Sequence, residues 1–244
     1  MTIKSIWLRR IHKWVGLAVG LQFVLWALSG AAMALLNMET VTGGPRPEVA
    51  TTSSIGDPAA WPKIVEQLGA EPIEALRLGA LLAKPVVEVR AGGSTKIFDA
   101  TTGERVAINA ARARAIAEHH HPLKAQGVAT TLLREASLPI RDHEPPIWRV
   151  DFTDQGASAY YVSATNGSLL ERRNETWRWW DFFWMLHNMD YANRASFNHP
   201  LIITAGIAMA WLAVTGFWLL FRTMWRHDLG WIRRRWSSNK ASAS

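Results

Sequence analysis

Cysteine is missing from all 244 residues. That excludes disulfides, thiolate-held zinc and cysteine-ligated iron–sulfur clusters. Tyrosine is scarce, three residues against fourteen tryptophans. Acidic residues are absent from the first thirteen positions, and histidine is absent from both long apolar runs. The chain also has no G-x-S-x-G, no H-E-x-x-H and no phosphate-binding glycine loop, so nothing marks it as an enzyme acting on its own.

Two apolar runs are present, from Val15 to Leu36 and from Pro200 to Phe221. At ~1.5 Å per helical residue each extends about 33 Å, enough to cross a bilayer. A cleaved secretion signal is the rival reading of the first run, since Ala32-Met33-Ala34 resembles a processing site. The run is long for a signal's apolar core, so an uncleaved anchor is expected. Trp7, Trp14, Trp225, Trp231 and Trp236 lie at or beyond the ends of the runs, as an aromatic belt requires.

The net charge of +7 is unevenly spread. Lys4, Arg9, Arg10 and Lys13 precede the first run without an acid. Arg222, Arg226, Arg233, Arg234, Arg235 and Lys240 follow the second against Asp228 alone. Basic flanks predict that both termini are cytoplasmic. Because the positive charge hugs the apolar runs, nucleic acid is not the expected partner.

The expected order is a basic segment (1–13), a transmembrane helix (14–37), a linker (38–57), an α+β periplasmic domain (58–175), a Trp-rich interfacial helix and break (176–198), a second transmembrane helix (199–222) and a basic tail (223–244). Within the domain the spacing predicts a helix over Pro58–Leu68 capped by Asp57, strands over Glu74–Leu82, Pro85–Arg90 and Thr95–Phe98, and a helix from Asn109 to His119, stopped by Pro122. Further strands are expected at Pro146–Phe152 and Ala159–Val162. Asp99-Ala-Thr-Thr-Gly-Glu-Arg-Val106 and Ser163-Ala-Thr-Asn-Gly-Ser-Leu-Leu170 form a repeat spaced by 64 residues, each a strand, an A-T-x-G turn and a returning strand.

A helix followed by antiparallel strands and a (D/S)-A-T-x-G turn resembles the PepSY module. Two such units between the basic R-R-I-H-K-W-V-G-L start and a T-G-F-W-L-L-F helix resemble the PepSY-associated transmembrane family of bacteria, as does W-D-F-F-W-M-L-H-N-M-D-Y. The resemblance covers nearly the whole chain. It implies a bacterial inner-membrane protein with two PepSY-like units anchored by two transmembrane helices. Larger relatives carry four membrane helices, and some are haem-containing reductases of siderophore-bound iron.

Eight histidines are candidates for haem ligation, and only two pairs share an expected depth: His12 with His227, and His187 with His199. His187 ranks first because Trp184, Met185 and Met189 offer an apolar wall. His199 and His12 come next and His227 last. Haem b is therefore left open as a cofactor. The run His119-His120-His121 is read as a helix end rather than a metal site, since neighbouring helical residues point ~100° apart. Trp177, Trp180, Phe183 and Trp184 are expected to meet the membrane or a partner. Gly16 with Gly20, and Gly206 with Ala210, supply small-residue grooves for helix packing against a membrane partner or a second copy. The favoured reading is a non-catalytic accessory or assembly subunit of a membrane complex, respiratory or iron-related. The alternatives are a haem b electron-transfer protein or part of a ferric reductase, and a PepSY-type inhibitor or chaperone of a periplasmic protease.

Overall fold

A computed structural model describes residues 3–44, 56–192, 194, 196 and 198–241, with side chains from residue 6 to residue 222. Most of the expected linker thus lies outside the described residues. The chain forms two compact units. One combines Met1–Met33 with Phe183–Ser244, and the other is Ala34–Phe182.

The first unit is helical. α1 (Ile3–Leu35) and α6 (Pro200–Ala241) each contain a stretch long and apolar enough to cross a membrane, Ile6–Leu35 and Pro200–Arg222. Only 6% of each stretch is buried within the protein, which leaves the rest of both helices for lipid or other chains. His12 meets Thr215, and a Cβ on Gly16 would touch Leu212. Partner numbers fall as α1 numbers rise, so the two helices run antiparallel. α6 does not stop where its apolar stretch ends; it continues as helix through the basic tail. Arg, Trp and Lys there are adequate helix formers, and no Pro interrupts them.

The second unit is α+β. After the short helix α2 (Met38–Val41), Asp57 caps a 3₁₀ turn at Pro58–Ala60 that leads into α3 (Trp61–Leu68). β1 (Ile73–Leu81), β2 (Lys84–Ala91) and β3 (Ser94–Asp99) then form an antiparallel meander. α3 places Ile64 and Leu68 one turn apart against Val87, Val89 and Ala91, which alternate along β2, and against Phe98. The pattern then repeats with a longer sheet. α4 (Ala110–His120) is capped by Asn109 and followed by β4 (Gly127–Leu133), β5 (Ile147–Phe152), β6 (Ala159–Ser163) and β7 (Leu169–Arg173). Ala113, Ile116 and Ala117 of α4 pack on Val150, Phe152, Tyr160 and Val162. The opposite face of that sheet buries Ile147, Ala159 and Tyr161 under Ile140.

The two halves share a core. Phe98 of β3 faces α3, whereas its neighbour Ile97 points the other way and joins the cluster around α4. The repeat is reproduced bond for bond in the two turns. Asp99 Oδ1 accepts from the amides of Thr101 and Thr102, and Ser163 Oγ from those of Thr165 and Asn166. Gly103 and Gly167 then donate to the carbonyls of Asp99 and Ser163, at φ of +69° and +72°.

Candidate functional site in the helical unit

α5 (Glu175–Asn188) carries the chain from the α+β unit to the helical one. Asn174 caps it, accepting from the Trp177 amide at 2.7 Å, and Met189 ends it in the left-handed region at φ +59°. Trp177 is buried beneath the Arg173 guanidinium, which lies 4.3 Å from its ring. Trp180, Phe183 and Trp184 are half-buried, whereas Trp179 and Phe182 are exposed.

The last turn of α5 presents His187. Its Nδ1 lies 3.3 Å from Ser29 Oγ and 3.2 Å from the Trp26 carbonyl, both on α1. Ser29 spends its own hydroxyl proton on the Leu25 carbonyl at 2.6 Å, so towards His187 it can only accept. In the neutral ring the proton therefore sits on His187 Nδ1, which leaves the lone pair on Nε2. A Cβ on Gly30 would come within 3.3 Å of the ring, so the small residue there admits the imidazole.

His12 is held by the same logic at the other end of α1. Its Nδ1 is 2.8 Å from Thr215 Oγ1, and Thr215 donates its hydroxyl proton to the Trp211 carbonyl, also at 2.8 Å. Again Nδ1 carries the proton and Nε2 the lone pair. A Cβ on Gly216 would meet the ring at 3.7 Å, an ordinary contact, and the Trp211 ring packs 6.1 Å from it. Metal-ligating histidines are typically oriented in this way, by a hydrogen bond from the other ring nitrogen.

His199 is turned differently: its Nε2 donates to the Asn188 carbonyl at 2.7 Å, bringing it beside the residue that follows His187. The side chain of His227 lies outside the described residues. Seventeen residues separate His12 from Ser29, about 25 Å along a helix. His12 and His187 thus stand too far apart to share one iron, which needs nitrogens near 2 Å. Of the small-residue positions, Gly16 approaches Leu212, whereas Gly20 and Gly206 face open space. Sequence reasoning did not pick out Ser29, Trp26 or Thr215 as orienting groups. A lone Ser or Thr in a membrane helix commonly bonds its own preceding turn, and both hydroxyls also do so here.

A family model for the PepSY-associated TM region matches residues 9–243. The chain belongs to this family. It is a membrane protein in which two helices anchor an α+β domain. Neither the curated proteins nor the solved structures contain a match to it. As a PepSY-associated protein it carries no group of three or more His, Cys, Asp or Glu able to hold a metal ion among the described residues.

Proposed function

We propose that this PepSY-associated protein is a haem b-binding membrane subunit that carries electrons between the two faces of a bacterial inner membrane, with both termini cytoplasmic and the α+β domain periplasmic. The observation that carries the reading is the matched pair His12 and His187, one at each end of α1, each with Nδ1 protonated and Nε2 holding the lone pair. When bound, haem would supply reversible one-electron chemistry. The protein's share is to fix each imidazole in one tautomer through Thr215 or through Ser29 and Trp26. The small residue Gly30 leaves the His187 ring space. His199, whose Nε2–H is committed to the Asn188 carbonyl, could serve as a second ligand beside His187 only through Nδ1; otherwise that ligand comes from another chain. The test is a reduced-minus-oxidised spectrum of haem-supplied, detergent-purified protein. A Soret band weakened in both His12→Ala and His187→Ala supports the reading. A folded wild type with no such band overturns it.

A non-catalytic accessory or assembly subunit is the second reading, and a separate observation favours it. Large apolar side chains on both helices are exposed on the protein, Leu17, Leu21 and Phe23 on α1 and Phe217 and Phe221 on α6. They offer lipid or a neighbouring membrane chain an extended surface to cover. A haem-free protein that co-purifies stoichiometrically with another membrane protein would favour it over the first.

A further inference from the structure

The α+β domain contains a cavity of about 550 Å³ between its two sheets, a volume ordinary for a bound organic molecule. It is lined by consecutive residues of β1 and of the turn after it, by the end of α4, and by the turn into β7. Its lining mixes the apolar residues Leu81, Leu82, Ile116 and Leu169 with the bases Arg77, His119, His120 and Arg172. The Arg172 guanidinium also donates to the Gly44 carbonyl at 2.7 Å.

The lining also holds two acids, one of them paired with bases. Glu171 meets His143 Nε2 at 3.0 Å and Arg173 at 3.2 Å, and Glu88 accepts from Asn166. His120 is held below its ordinary value, first by burial and then by the charges of His119, Arg172 and Lys124. Those three neighbours are basic. A metal ion does not fit, because the His119 and His120 rings sit edge to face with centroids 5.3 Å apart, and no third ligand joins them among the described residues.

We propose that this cavity binds a small organic anion with an apolar body, its carboxylate beside His119, His120 and Arg172 and its body against the apolar residues of the lining. A carboxylate there adds an opposite charge to the surroundings of His120 and so favours its imidazolium form. Binding then takes up a proton at neutral pH, and affinity falls as pH rises. Arg77 on β1, Glu88 on β2, His143 before β5, and Glu171 on β7 also face the cavity, and they set the charge background of this response.

The probe is 2-naphthoate, titrated calorimetrically into the full chain in detergent, with empty micelles subtracted and two buffers of different ionisation enthalpy. Saturable binding with proton uptake is expected. His120→Gln should weaken it about tenfold, the worth of one charge-assisted hydrogen bond, and abolish the uptake. His119→Gln, at an exposed position at the end of α4 and beside the same carboxylate, is made in parallel and decides the matter by the same loss of affinity if the first variant does not fold. The idea is overturned if 2-naphthoate shows no saturable binding, if 2-naphthylmethylammonium binds equally well, or if the folded variants bind as the wild type does.

Discussion

Gly103 and Gly167 hold the same place in the two halves of the α+β domain, and each is constrained twice. Both have positive φ, and a Cβ on Gly103 would lie 2.7 Å from the Ala60 carbonyl oxygen, an atom of fixed backbone. Gly93 has the same φ as Gly167, +72°, but faces open space. Gly93→Ala should therefore cost about 1 kcal/mol for conformation alone, and Gly103→Ala about 1–3 kcal/mol more for the clash. Chemical denaturation of the two variants measures the difference, and equal losses would contradict the close approach. His121 illustrates a second residue-scale device. Its Nδ1 accepts from the amides of Leu123 and Ala125, so Nε2–H donates to Asp154. Burial raises the Asp154 carboxyl, yet hydrogen bonds from the Ser158 side chain and amide and from His121 leave it below the usual carboxylate range. A carboxyl depressed in the folded state stabilises above its unfolded value, about 3.9, and that contribution is lost as pH falls through the lower folded value. Stability should thus decline below about pH 4, and Asp154→Asn should flatten that decline in a series of urea midpoints.

At the scale of elements, most helices and strands of the domain were legible because their signals are local. Asp57 and Asn109 cap helices, and Val87, Val89 and Ala91 alternate along a strand. β4 was not legible. Gly127-Val-Ala-Thr-Thr-Leu-Leu133 shows no period of two, because it is an edge strand whose single partner, β5, lies beyond a 3₁₀ turn. The candidate site was legible in part. His12 and His187 were singled out, but Thr215 and Ser29 owe their role to contacts 203 and 158 residues away, which no spacing encodes. The antiparallel register of α1 and α6 can be checked because the chain has no cysteine. Gly16→Cys with Leu212→Cys should join efficiently under mild oxidation or with a short bis-maleimide. Gly20→Cys with Leu212→Cys, one turn away, should join poorly. Equal yields would mean that the helices slide past one another.

For the whole molecule the governing asymmetry is electrical. Bases flank the two apolar stretches at the chain's ends, while the residues between the stretches carry more acids than bases. A periplasm-dependent reporter inserted at Gly93, in the open turn between β2 and β3, should be active, and the same reporter fused after Ser244 should be silent. Activity at both fusions would place an even number of crossings between the two sites and remove the two-span topology.

The meander layout of both sheets governs the order in which the protein is made. Every strand pairs with its sequence neighbour, so no pairing in residues 73–173 waits for anything downstream. The contacts of His12 with Thr215 and of Gly16 with Leu212, by contrast, need the two ends of the chain. A ribosome that has released residue 173 has released every strand, while the second membrane helix is still unmade. Assembly is thus divided in time. Once α1 is inserted, the domain can complete its fold while tethered at one end, and the late arrival of α6 converts a hanging tether into a two-point mount.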